Sequence, residues 1–60
     1  MFYAIYKIYE DEPDVGYLWG VYMNPKKLAT SSFELAKSGV YAIEVVEYNN
    51  SNEVKDNIKV

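Results

Sequence analysis

Residues 2–22, FYAIYKIYEDEPDVGYLWGVY, place two aromatic and β-branched runs on either side of an acidic cluster that contains a proline. Aromatic and β-branched residues favour strands, and a short polar segment between two such runs is typical of an antiparallel hairpin. The first run predicts a strand over residues 2–10, and the second predicts a strand over 15–23. The acidic cluster, residues 10–14, is then the turn that joins them.

The rest of the chain predicts one short helix followed by two more strands. Residues 40–48, VYAIEVVEY, form the third strong strand pattern. After an asparagine-rich turn, residues 53–60 alternate apolar and polar side chains and carry lysine on the polar side, which suits an edge strand. We therefore expect a single α+β domain over residues 1–60. Its predicted order is β-β-α-β-β, an antiparallel-rich sheet with the helix on one face, and the order of the strands stays open.

Two sites compete for the start of the helix within residues 24–39, NPKKLATSSFELAKSG. Asn24 is a candidate cap with a proline at the first helical position, but the two lysines that follow would oppose the helix dipole. Ser31 and Glu34 form a capping box, and an acidic residue in the first helical turn interacts favourably with the helix dipole. The prediction therefore prefers a helix near 31–38, ended by the glycine that follows it.

The composition excludes most kinds of chemistry. The 60 residues include no cysteine, no histidine and no arginine, and the net charge is −3. Disulfides, thiolate metal sites and histidine-based catalysis therefore have no side chains to use, and no phosphate loop or dinucleotide motif occurs. We expect a protein that is not an enzyme and needs no cofactor. No apolar run reaches a membrane span and no signal-peptide pattern is present, so the cytoplasm is the expected location.

The apolar residues outnumber what one small core can bury. Half of the chain is hydrophobic, including seven tyrosines, two phenylalanines and one tryptophan. Strict alternation along the strands predicts one almost uncharged face, covered by helix residues Phe33, Leu35 and Ala36. That face would collect Phe2, Ala4, Tyr6, Ile8, Tyr17, Trp19, Val21, Tyr41, Ile43 and Val45.

The opposite face of the predicted sheet also lacks the polar alternation of a solvated surface, since only Lys7 and Glu44 are charged there. We expect a second copy of the chain or another partner to cover it, because a monomer seldom tolerates so large an apolar patch. The alternative is that loops or a curled sheet cover it within the monomer. The predicted homodimer contact consists of Tyr3, Ile5, Tyr9, Leu18, Tyr22, Val46 and Tyr48.

The acidic cluster, residues 10–14, is the second candidate for a functional surface. It lacks the spacing of a calcium loop, and a solvated turn explains it better than a metal site. Its charge nevertheless makes it a candidate surface for a partner protein. The predicted partner-binding residues are Glu10, Asp11, Glu12 and Asp14, with Lys26 and Lys27 as a second exposed pair.

These observations favour a homodimeric, non-enzymatic protein-binding module that inhibits or modulates a larger protein stoichiometrically. The Lys, Asn, Ile and Tyr content is typical of AT-rich genes, and small acidic proteins from such sources suggest, by analogy of size and composition, a phage-encoded anti-defence protein. The alternative is a nucleic-acid-related module, either a single-strand binder through sheet tyrosines or an acidic mimic. Direct nucleic-acid binding is disfavoured because six lysines are scattered among nine acidic residues.

Overall fold

The computed structural model describes residues 1–60 as a four-stranded antiparallel sheet with one α-helix. The strands lie in the order β3-β1-β2-β4. The predicted α+β class and the order β-β-α-β-β are confirmed, and β4 takes the edge position that its lysine pattern predicted. The elements are β1 (Phe2–Tyr9), β2 (Glu12–Tyr22), α1 (Pro25–Lys37), β3 (Ala42–Tyr48), a 3-10 turn (Ser51–Glu53) and β4 (Asn57–Lys59).

The hairpin of β1 and β2 has a tighter turn than the sequence predicts. Only Glu10 and Asp11 form the turn, and residues 12–14 belong to β2. The proline is tolerated there because it lies at the start of the strand, where a ladder hydrogen bond is easily spared. Further along, the pairing shifts between Leu18 and Gly20, which leaves Trp19 as the extra residue of a β-bulge.

The helix begins at Pro25, six residues earlier than the preferred prediction. Asn24 caps it, because its side-chain oxygen accepts a hydrogen bond of 2.8 Å from the backbone N–H of Lys26. The start at Ser31 was the wrong choice, since the lysines of the first turn are exposed and solvent screens their repulsion from the helix dipole. Gly39 follows the helix with φ +86°, which only glycine adopts easily, as predicted.

The helix is the crossover between two parallel strands. Both β2 and β3 pair antiparallel with β1, so they run parallel to each other with β1 between them. Leu35 is the residue that α1 buries fully, which contributes about 1.5–3 kcal/mol. Phe33 was predicted to cover the sheet, but it points away from it and is 63% exposed. Ala36 is exposed as well.

Opposite residues on paired strands point to the same side of a sheet, so the register defines two faces. The helix face carries Tyr3, Ile5, Lys7 and Tyr9 of β1, and the tail face carries Phe2, Ala4, Tyr6 and Ile8. Ile5 is fully buried, and the ring of Tyr22 fills the space over its neighbour Gly20. Tyr22 in turn lines a recess with Lys26 and Thr30, which places α1 on this face. Residues 49–60 form the C-terminal segment, and its Lys55 accepts a hydrogen bond from Tyr6 on the tail face. Val21 lies on this face as well and is 40% exposed.

The helix therefore covers the face opposite to the predicted one, and the predicted grouping of residues by face was also wrong for parts of β2 and β3. Tyr17 and Ile43 both lie opposite Lys7, and Val45 lies opposite Ile5, which places all three on the helix face. Trp19 lies on this face as well and is 49% exposed, so it is not a core residue. Strict alternation fails because the bulge changes the phase of β2, and because nothing in the sequence sets the register of β3.

The C-terminal segment contains less strand than predicted. Its extended part begins after the 3-10 turn, and only three residues pair with β2. Two further backbone hydrogen bonds hold it, from the N–H of Leu18 to the carbonyl of Asp56 and from the N–H of Val60 to the carbonyl of Asp14. Gly16 permits this close approach, since a Cβ there would lie 3.0 Å from Ile58.

Candidate interaction surfaces

An open groove crosses the tail face between β3 and the C-terminal segment. Its volume is about 900 Å³, and four of its eight lining residues are hydrophobic. It exists because the chain leaves the end of β3, crosses over β1 and joins β2, so that the two walls diverge. The lining residues are Glu44, Val46, Tyr48, Lys55, Asn57, Ile58, Lys59 and Val60.

Tyr6 fastens the C-terminal segment beside this groove. Its hydroxyl donates to the backbone carbonyl of Lys55 at 2.8 Å and lies 2.8 Å from the hydroxyl of Tyr48. Tyr6 is fully buried. Burial, and then the hydrogen bond with Tyr48, raise the pKa of Tyr6 to about 12. This hydroxyl is therefore held protonated far above neutral pH, where it donates the hydrogen bond that fastens the segment.

A cluster of three aromatic rings around one lysine lies on the helix face, outside the area that α1 covers. The Nζ of Lys7 lies 5.3 Å from the ring centroid of Tyr9 and 5.4 Å from that of Trp19. The rings of Tyr9 and Tyr17 are 6.0 Å apart. We call Lys7, Tyr9, Tyr17 and Trp19 the aromatic cluster. Cation–π attraction fixes its centre while the outer ring surfaces remain available.

The aromatic cluster borders the acidic turn. The hydroxyl of Tyr17 donates to the carboxylate of Glu12 at 2.7 Å. That hydrogen bond raises the pKa of Tyr17. Glu10 and Asp11 are exposed in the turn beside Tyr9. Aromatic surface and negative charge therefore adjoin at this end of the sheet, a combination that suits a partner with an apolar pocket and a basic rim.

The seven residues predicted for a homodimer contact do not share a face. Tyr3, Ile5, Tyr9 and Tyr22 lie on the helix face, whereas Leu18, Val46 and Tyr48 lie on the tail face opposite Tyr6, Ala4 and Phe2 respectively. The bulge at Trp19 separates Leu18 from Tyr22, and Ile5 is buried inside the monomer. The predicted single apolar patch is wrong. Whether the other six residues contact a second copy stays a prediction.

The predicted partner-binding residues likewise divide between two places. Glu10, Asp11, Glu12 and Asp14 lie at the hairpin turn, where no group of three or more carboxylates converges on a metal position. Lys26 and Lys27 lie at the start of α1, just beyond the other end of β2. Eight residues of strand, 15–22, separate the two sets, on the order of 25 Å. They cannot act as one patch, although each stays a candidate surface.

A small recess lies beside the two lysines. Its volume is about 250 Å³, and it is lined by Tyr22, Lys26, Lys27, Thr30 and Ser31. It is shallow and contains one ring and one pair of flexible cations. Nothing in it fixes the orientation of a ligand, so it adds little to the functional argument.

Sequence reasoning missed two features, the exposure of the aromatic cluster and the free edge of β3. A signal for the first was the Gly-x-x-x-Gly spacing around Trp19, since isolated glycines within a strand often mark a bulge. Comparison of the chain with protein-family models, curated proteins and solved structures gives no match. The one α-helix is neither long nor apolar enough to cross a membrane. The functional proposal therefore rests on the surfaces described above.

Proposed function

We propose that this chain is a non-enzymatic protein-binding module that associates with itself and binds a larger protein stoichiometrically. The carrying observation is the distribution of apolar side chains. Only five hydrophobic residues are buried, whereas nine large hydrophobic residues are exposed. In a chain of this size, so many exposed apolar groups favour a protein whose surface is its working part.

The aromatic cluster is the proposed contact with the larger protein. Tryptophan and tyrosine are the residues that most often dominate binding energy at interfaces, because they bury a large area at low entropic cost. Trp19 is half exposed, and the ammonium group of Lys7 lies over its ring. Because this contact already orders the ring, little conformational freedom of the side chain is lost on binding. The adjoining acidic turn favours a partner with a basic rim. Binding of this kind blocks or modulates the partner, and an anti-defence role in the cytoplasm of a phage host is part of the proposal.

The test compares Trp19→Ala with Phe33→Ala. Phe33 is 63% exposed on the outer side of α1, so it is a matched aromatic away from the proposed contact. Crosslinking capture from the native host identifies the partner, and titration of the purified pair measures Kd. Trp19→Ala should weaken binding by about 30-fold or more, as expected for loss of about 2 kcal/mol at a central aromatic. Phe33→Ala should change Kd less than about threefold. Equal effects of the two variants would contradict the assignment.

One observation favours a second candidate function, single-stranded nucleic-acid binding. Two exposed rings beside a lysine, Tyr9 and Trp19, with the half-buried ring of Tyr17 next to them, resemble a stacking platform for bases. The adjoining carboxylates oppose it, because they repel phosphates. Fluorescence anisotropy with short DNA and RNA at two salt concentrations decides between the candidates. Binding that weakens steeply with salt and is lost in Trp19→Ala would favour nucleic acid over protein.

A further inference from the structure

We propose that the free edge of β3 pairs antiparallel with β3 of a second copy, joining two sheets into one of eight strands. This inference rests on the proposed self-association and deepens it, because it replaces the predicted face-to-face contact with an edge-to-edge one. The partner strand that we propose for this edge is β3 of a second copy of this chain.

The two edges of the sheet differ sharply in how they are protected. β4 is three residues long and bears Lys59, so it offers little to another strand. β3 is seven residues long, contains no proline or lysine, and pairs with β1 without any shift of register. Isolated monomers usually blunt such an edge with a bulge, a proline or charged side chains, lysine above all. β3 has no bulge, proline or lysine, and its charged residues are Glu44 and Glu47.

The outer side of β3 is also unoccupied within the chain. β1 pairs with its inner side, and none of the backbone hydrogen bonds outside the regular elements involves residues 42–48. No side chain bonds to its backbone either, since the side-chain hydrogen bonds near it involve only the hydroxyl of Tyr48. Alternate N–H and C=O groups along seven residues are therefore directed outward, ready for an antiparallel partner.

The sequence of β3 selects one register for two identical copies. A two-fold axis between antiparallel strands passes through a residue, which then faces its own copy. An axis at Glu44 would oppose two carboxylates, which is unfavourable. An axis at Val46 would pair only residues 44–48. An axis at Val45 pairs all seven residues, and it sets Glu44 opposite Val46 and Glu47 opposite Ile43, so that no like charges face each other.

The register centred on Val45 also uses exposed apolar surface. Val45 is 44% exposed on the helix face, and its contact with Val45 of the second copy would cover it. On the tail face, Glu44, Val46 and Tyr48 form one wall of the groove, so the grooves of two copies would meet at the two-fold axis. Pairing over seven residues supplies about six to eight backbone hydrogen bonds, from the alternation of bonded and non-bonded pairs.

Single cysteine variants test the register, because the chain has no cysteine of its own. In the register centred on Val45, the two copies of that residue have Cα atoms about 4.5–5.5 Å apart, within disulfide range. The two copies of Glu47 are about 13 Å apart along the strand, which is out of range. Under mild oxidation at low micromolar concentration, Val45→Cys should form a linked dimer and Glu47→Cys should not. Equal linking of both, or linking of Glu47→Cys alone, would overturn the proposal.

A charge exchange at the same position tests the contact without a covalent bond. Val45→Lys and Val45→Glu should each sediment as monomers with unchanged circular dichroism, since like charges would face each other across the axis. An equimolar mixture should recover the dimer. Dimers in either variant alone would overturn the edge contact. A monomeric unsubstituted protein would overturn self-association as well, but an effect of Trp19→Ala on the larger partner would still support the rest of the proposed function.

Discussion

Removing the hydroxyl of Tyr6 should weaken the attachment of the C-terminal segment to the sheet. Tyr6→Phe deletes the hydrogen bonds to the carbonyl of Lys55 and the hydroxyl of Tyr48, both 2.8 Å long, at a fully buried side chain. Leaving buried partners unsatisfied costs about 1–3 kcal/mol. Tyr48 is only half-buried and can turn to water, so we expect about 1–2 kcal/mol. For a domain of this size, that corresponds to a fall in Tm of about 4–16 °C.

The assay is urea and thermal unfolding followed by circular dichroism, with Tyr48→Phe as the matched control. Tyr48→Phe leaves the bond from Tyr6 to Lys55 intact and should cost about 0.5–1 kcal/mol. Amide hydrogen exchange adds a local readout, because the N–H of Leu18 donates to Asp56 in the segment that Tyr6 holds. It should exchange faster in Tyr6→Phe. A stability within about 0.5 kcal/mol of the unsubstituted protein, with unchanged exchange at Leu18, would refute the reasoning.

Two further predictions concern pH and the helix start. Because the folded-state pKa of Tyr6 is raised to about 12 from about 10, its contribution to stability is complete below pH 10 and is lost as pH rises from 10 towards 12. Urea unfolding at pH 8 and pH 11 should therefore show that Tyr6→Phe loses less stability at the higher pH than the unsubstituted protein does. Equal losses of stability in the two proteins would contradict this prediction. Asn24→Ala removes the hydrogen bond from the N–H of Lys26 and should cost about 1 kcal/mol of stability, whereas Ser31→Ala should be close to neutral. Thermal unfolding measures both, and a larger loss of stability in Ser31→Ala than in Asn24→Ala would place the helix start at Ser31.

Much of the fold was predictable because local patterns agree with it. The aromatic and β-branched composition of residues 2–9 and 42–48 sets strands, and the glycine at 39 ends the helix. The helix start was not predictable from charge logic alone. An exposed unfavourable dipole interaction costs only a fraction of a kcal/mol per lysine, which the partial burial of Leu28 and the added helical turns offset.

The candidate surfaces were less predictable, since they depend on the register and not on composition. One extra residue at Trp19 moves half of β2 to the other face, and β3 pairs with β1 at a register that only the folded sheet defines. The same applies to the C-terminal segment. Its alternation resembles a long strand, but only Asn57–Lys59 finds a partner because the chain must first cross the tail face.

The central claim is that this chain works in association with another chain, and its own second copy can be tested without knowledge of any target. Sedimentation velocity of the unsubstituted protein, from about one to several hundred micromolar, is the most direct measurement. We expect a dimer, of about twice 6.9 kDa, that becomes the dominant species as the concentration rises. A single 6.9 kDa species across the whole range would contradict it.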